Sequence, residues 1–268
     1  MSTKKDIQAI AWGKTKQILV PSGRRFILRE QNGDDDDILS NPSTGADGSN
    51  IDYYIAGIVV KEIINDKEVT FSLEQAKSLL KKDMIAIIFE SRIHNLGNIL
   101  KFKFDFGDDP VVGKGIIGYE EELSQYLHDY TKPFPLTEED EGYFKFKIPP
   151  YPESAYGKFE MTTDSGKRVR INLMNREGMK FILGTKDEET TKNTELKARN
   201  LELFTENNWL KVENFSPFSP RDMVNIRAWV KEIDPDYNAI TEIAHPVTKY
   251  KLNYTLTNST DFFYPVEI

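Results

Sequence analysis

At 268 residues, 39% of them hydrophobic, the chain is long enough for a full core in one large or two modest domains. It has no cysteine, so disulfide staples and thiolate metal sites are excluded, which suits a reducing interior or a particle assembled there. A formal net charge of −8 argues against nucleic-acid binding through a general basic field. No apolar run approaches the ~20 residues a bilayer needs, and residues 1–20 lack the apolar segment of a signal peptide.

Residues 1–16 are polar with scattered Ile7, Ile10 and Trp12, and read as an N-terminal arm or edge strand. Ile18 to Val20 and Arg25 to Glu30 read as strands around the turn Pro21-Ser22-Gly23, with Phe26 and Leu28 on one face. Asn32-Gly33 leads into four aspartates, Asp34 to Asp37, which suit the positive end of a helix. Consecutive helical residues fan out by about 100°, so the four cannot converge on one metal ion. Asn41 to Asn50 reads as a polar loop. Ile51, Tyr54, Ile55 and Ile58 keep helical spacing in a segment that turns to strand near Ile58 to Ile63. Ser72 and Gln75 form a capping box for a helix from Leu73 to Leu80. The helix from Asp83 carries Met84, Ile85, Ile88, Phe89 and Leu96 on one stripe and Ala86 and Ile87 on the other side. It is therefore a core helix, and Gly97 stops it. Leu100, Phe102, Phe104 and Phe106 alternate with polar residues as a half-buried strand, Gly107 to Gly113 turns, and Lys114 to Gly118 returns.

Glu120 to Tyr130 reads as a short helix, Thr131 to Asp140 as a linker, and Tyr143 to Ile148 as a strand. Phe159 to Thr163 and Val169 to Leu173 make a hairpin through Asp164-Ser165-Gly166, with Gly where a positive φ is wanted. Met179 to Leu183 is apolar and Thr185 to Asn193 polar. Leu201 to Phe204 and Trp209 to Val212 make a second hairpin. Ser219-Pro220 opens a helix to about Ile233 that buries Met223, Ile226 and Val230. Ile240 to Ala244 and Tyr250 to Leu256 make the final hairpin.

Three pairs of strings recur in the same order. Ser22-Gly23-Arg24-Arg25 matches Ser165-Gly166-Lys167-Arg168, Lys82 to Ile87 matches Arg221 to Ile226, and Pro110-Val111 matches Pro246-Val247. The expected fold is thus α+β in two related halves, each a strand-turn-strand start, helices and a terminal β-hairpin. The expected division is an arm over 1–21, a first half over 22–135, and a second, more β-rich half over 136–268.

Little in the chain dictates chemistry. The three histidines, His94, His128 and His245, sit near the end of a core helix, on a short helix and in a hairpin turn, and nothing local makes a Ser-His-Asp site. His94 reads as a helix cap and its pairing with Glu90 as a surface contact. Asp234, Asp236 and Asn238 begin like a calcium loop, but Ala239 stands where that loop needs Gly and His245 where it needs Glu. Gly113-Lys114-Gly115 lacks phosphate-loop spacing. Lys167, Arg168 and Arg170 read as salt-bridge partners, and Tyr143 to Lys147 as strand alternation rather than a base-stacking platform. No catalytic, cofactor or metal residue is assigned.

Arg25 to Ser40 (RFILREQNGDDDDILS), Glu90 to Gly97 (ESRIHNLG) and Asp261 to Pro265 (DFFYP) resemble a family of tailed-phage proteins grouped with the baseplate-hub assembly proteins of T-even-type myophages. The resemblance implies a non-enzymatic baseplate component or hub-assembly factor. It would contact other tail or baseplate proteins, with no nucleic acid or membrane, in the virion tail or the host cytoplasm during assembly. The resemblance also implies hairpins that in several members carry a Cys-x-x-Cys zinc knuckle. Here Phe106 to Asp109 and Ala244 to Pro246 stand at those places, so the expected hairpins are zinc-ribbon-like without zinc ligands, held by apolar packing alone. The competing class is a carboxylate-based metal-dependent enzyme or calcium-binding module at Asp34 or Asp234; a nucleic-acid binder is a third.

Overall fold

A computed structural model of the chain describes residues 13–45, 48–109, 111–134, 147–185, 191–258 and 262–263. β1 (Thr15–Leu19) and β2 (Arg25–Arg29) form the first hairpin. Its turn closes through Val20 N to Arg24 O at 3.1 Å and Gly23 N to Val20 O at 2.8 Å, with Gly23 at φ 79, a left-handed position that needs no Cβ. Asn32 caps α1 (Gly33–Ser40), as its acidic run predicts, and Asp35 completes the capping box. α2 (Pro42–Gly45) and α3 (Ser49–Ile58) follow, and α3 runs straight into β3 (Val59–Ile64). A two-residue turn, Asn65-Asp66, with both φ positive, leads to β4 (Lys67–Thr70), completing a sheet of order β1-β2-β3-β4. α4 (Leu73–Lys77) carries the Ser72–Gln75 capping box, and α5 (Lys81–Leu96) is buried at every residue from Lys82 to Phe89. Gly97, at φ 85, ends α5 and admits the hairpin of β5 (Ile99–Asp105) and β6 (Ile116–Glu122), closed by the 3-10 turn Leu123–Tyr126.

The later chain holds β7 (Phe159–Thr162), β8 (Arg168–Ile171), α6 (Arg176–Gly184), α7 (Thr194–Ala198), β9 (Glu202–Thr205) and β10 (Asn208–Lys211). It ends with α8 (Pro220–Ile233), β11 (Ile240–Ala244), β12 (Lys251–Thr255) and a 3-10 turn, Leu256–Asn258. All sheets are antiparallel and the fold is α+β. The second four-stranded sheet has the order β7-β8-β9-β10, the same succession as the first. Its opening turn repeats the first one: Thr163 N to Lys167 O, Gly166 N to Thr163 O, and Gly166 at φ 84. The β9–β10 turn again has two residues at positive φ, Glu206 and Asn207. Both terminal hairpins end on a fully buried leucine, Leu123 or Leu256, whose N–H bonds a carbonyl just before the hairpin, that of Asn98 or Ala239.

Several expectations are corrected. Asn41 to Asn50 is not all loop, because it holds α2 and the start of α3. Glu120 to Tyr130 is not a helix. β6 runs to Glu122 with Ile117, Tyr119 and Glu121 turned inward at period two, and the inward polar Glu121 hides that period in the sequence. Leu96 is exposed, α4 stops at Lys77, and the return strand starts at Ile116. The arm does not extend to residue 21, since Thr15–Leu19 is sheet. Among the described residues the later half is no richer in strands, with six on either side. Nor do the halves own separate cores. Tyr237, Ala239, Ile243, Leu256 and Phe262 join the core built on Phe26, Ile55 and α5, while Val169, Ile171, Met223, Ile226 and Val230 form a second. Residues 1–12, positions 143–146 of the strand expected at Tyr143 to Ile148, and most of the linker lie outside the described residues, and Lys147 and Ile148 are not in a strand.

Candidate interaction site

The three strings that carry the resemblance converge. A cleft of about 450 Å³ is lined by Glu30, Gln31, Asn32, Gly33 and Asp36 from the first, Asn95 and Leu96 from the second, and Phe263 from the third. Local structure explains the meeting. Arg29, buried at the end of β2, grips Asp35 through both terminal nitrogens at 2.7 Å, which fixes α1 against the sheet. Gln31 N then donates to Asn95 Oδ1 of α5 at 2.7 Å, and the Phe263 ring meets Tyr54 edge-on. The buried Tyr54 hydroxyl lies 2.9 Å from Ser91 Oγ, and burial raises its pKa to about 12. The lining offers amides and two carboxylates but no nucleophile beside a base. Its chemistry is hydrogen bonding.

The second feature is a clasp between the terminal hairpins. His245 Nδ1 accepts from Val247 N and Thr248 N, and Nε2 lies 3.3 Å from both the N and the O of Lys114. Its ring stands edge-on to Phe106 and over Gly113, where a Cβ would lie 2.3 Å from it. Thr248 Oγ1 donates to Val112 O, Tyr119 Oη to Ala244 O, and Phe102 stacks on Tyr254. Apolar packing alone therefore does not hold these turns; a buried histidine and hydroxyl bonds share the work. Beyond the clasp Val111 and Val247 are 74% and 80% exposed, and Ile116 and Tyr250 of the same two hairpins are also exposed.

Several buried charges elsewhere are paired within the chain. Asp83 and Asp222 occupy matching places at the starts of α5 and α8, and each receives the serine of an opening turn. Ser22 N donates to Asp83 Oδ1 at 2.9 Å and Ser165 Oγ to Asp222 Oδ1 at 2.6 Å. Their titrations diverge. Burial pushes Asp83 up, against the bonds from Ser22 and Tyr156, whereas the Ser165 bond and the Lys167 ammonium hold Asp222 far below the usual range. Between the halves Asp52 holds Arg176 and Lys180; within the second half Asp234 holds Arg199 and accepts Met174 N. Lys82 lies buried against the Tyr151 ring and 3.9 Å from Asp234, and burial lowers its pKa to about 8.

The remaining expected residues do not converge. His94 contacts Lys14 O rather than its own helix end, and Glu90 pairs with Lys16 at 2.6 Å. His128 lies beyond the 3-10 turn, not on a helix, against Tyr130 and Phe134. The calcium-like trio is dispersed: Asp234 faces Arg199, while Asp236 and Asn238 bind Lys81. Lys167, Arg168 and Arg170 pair with Asp222, Glu160 and Glu202, as their strand position suggests. The hairpin clasp and the Asp52–Arg176 pair join residues more than a hundred positions apart, and no local pattern signals them. Comparison with protein-family models, with curated proteins and with solved structures finds no match to this chain.

Proposed function

We propose that this chain is a non-enzymatic component of a phage tail baseplate, or a factor that assembles the baseplate hub, and that it works through protein–protein contacts. The clasped hairpin tips carry this reading. Two valines among the most exposed apolar side chains of the described surface adjoin the Thr248–Val112 hydrogen bond that ties the two tips, which suits insertion into a partner's pocket. The phage assignment is supported by the three resembling strings. The metal-dependent alternative loses support where Arg29 and Arg199 hold the carboxylates it would use, Asp35 and Asp234. Its partners would be other tail or baseplate proteins, met in the virion or in the host cytoplasm. The test is affinity capture of the tagged chain from infected cells, with mass spectrometry of assembly intermediates and finished tails. Association with tail proteins that Val111→Asp and Val247→Asp together abolish is expected. A free monomer in every fraction would sink the reading.

We also infer that the two halves are duplicate copies. Equal strand succession, matching opening turns and the paired aspartates support it. Superposing residues 15–126 on 159–258 tests it, and opposite strand directions at matching places would refute it.

A further inference from the structure

We propose that the free edge of β1 is a strand-addition site that takes an extended segment of a partner protein, alternating apolar and acidic side chains. This deepens the contact role proposed above and borrows from it only the identity of the partner. Val20 N bonds Arg24 O, so the mutually bonded pairs of the hairpin are Ile18 with Phe26 and Lys16 with Leu28. Gln17 and Leu19 therefore turn their N–H and C=O groups away from β2. β1 is the terminal strand of its sheet, and among the described residues those groups have no hydrogen-bond partner. An unpaired edge of this kind templates another strand.

The edge also borders a groove of about 730 Å³ between β1 and the segment from Leu127 to Thr131, with Ile93 of α5 lining it. By contrast β4, at the other edge of the sheet, is exposed at all four residues, so a strand added there would bury little apolar surface. Side chains of a strand seated in the groove would point alternately to two sides. On the inner side they would meet Ile93 and Leu127. On the outer side they would meet Arg25, the residue opposite Leu19, whose partner Asp66 is 87% exposed and holds it weakly. The acids lining the groove are engaged, Glu90 by Lys16 and Asp129 by Lys132 and Thr131. Charge complementarity at the outer side therefore selects an acidic residue.

The probe is a fluorescein-labelled synthetic peptide, Thr-Val-Glu-Val-Glu-Val-Thr, titrated into the full chain by anisotropy and followed by amide exchange. Saturable binding is expected, with new protection at Gln17 and Leu19. Gln17→Pro removes only an outward N–H and leaves the ladder to β2 intact, so affinity should fall at least about tenfold in a folded protein. Glu68→Pro, at an outward residue of β4, should leave affinity unchanged. A peptide with Lys for Glu should bind severalfold more weakly. If Gln17→Pro fails to fold, the same peptide N-methylated at alternate residues must lose binding to the unaltered chain. The proposal is overturned by equal affinity for Gln17→Pro, by no saturation at millimolar peptide, or by Gln17 and Leu19 amides already protected in the free chain. A concentration-dependent dimer lost in Gln17→Pro would assign the edge to a second copy and overturn the partner. Failure of the capture from infected cells would leave a positive peptide result standing, so the two readings fail separately.

Discussion

Asp35→Ala probes the contact that seats α1, and with it the cleft where the three strings meet. The Asp35 carboxylate is buried and accepts Arg29 Nη1 and Nη2, each at 2.7 Å, and Asn32 N at 2.8 Å. Removing it strands a guanidinium that is itself buried, a change that costs about 3–5 kcal/mol in comparable pairs. Arg29 keeps the carbonyls of Gly57 and Glu30, which favours the lower part of that range, while the lost half of the capping box adds about 1 kcal/mol. The expected loss is about 4 kcal/mol, a large share of the ~5–15 kcal/mol available to a folded protein. Urea unfolding measures it, with Asp37→Ala as the comparison. Asp37 is exposed at the same helix end and should change stability by less than about 0.5 kcal/mol. Arg29→Met combined with Asp35→Ala should recover part of the loss, because no orphaned charge remains. Equal effects of Asp35→Ala and Asp37→Ala would refute the reasoning and reduce the aspartate run to a uniform surface charge.

Lys82 sets a pH dependence. Its folded pKa, about 8, lies below the ordinary 10.5, so between those values the unfolded chain binds more protons and stability rises with pH. Tyr54, raised to about 12 in the fold, opposes this above pH ~10, which puts the maximum in urea-melt stability near pH 9–10. Lys82→Met should be neutral or stabilising at pH 7, by up to about 3 kcal/mol, since it removes a buried charge while Asp234 keeps Arg199. Gly113→Ala should destabilise by about 2 kcal/mol or more, because φ is 141 there and the added Cβ would enter the His245 ring; calorimetry reads it. Calcium or EDTA should leave the melting temperature unchanged, as a ligand of the native state raises stability by mass action.

Elements governed by local rules are legible in the amino-acid sequence. Asn32, Ser72 and Ser219 mark three helix starts, Gly97 one stop, and Gly166 a turn, because caps and left-handed residues act within four positions. The aspartate run reads as a cap, but nothing local shows that Asp35 alone turns inward, since its partner Arg29 belongs to a strand. β6 escapes the sequence pattern because a half-buried glutamate, Glu121, satisfied by Tyr126 and Thr241, breaks an apolar alternation. The boundary between halves is obscured for a longer-range reason: β11 and β12 return to pack on β5 and β6, and tertiary contacts across such a separation leave no periodicity behind. The interaction features follow the same division. The repeated Pro-Val foreshadows the exposed tips, whereas the cleft exists only once three distant strings fold together.

The central claim is a contact role exercised through the hairpin tips. Its most direct measurement is the composition of tail assemblies captured with the tagged chain, wild type against Val111→Asp with Val247→Asp. Both substitutions lie at exposed positions and should leave melting unchanged. Tail or baseplate proteins should accompany the wild type and disappear with the double variant. A chain recovered alone as a monomer in both cases would contradict the account.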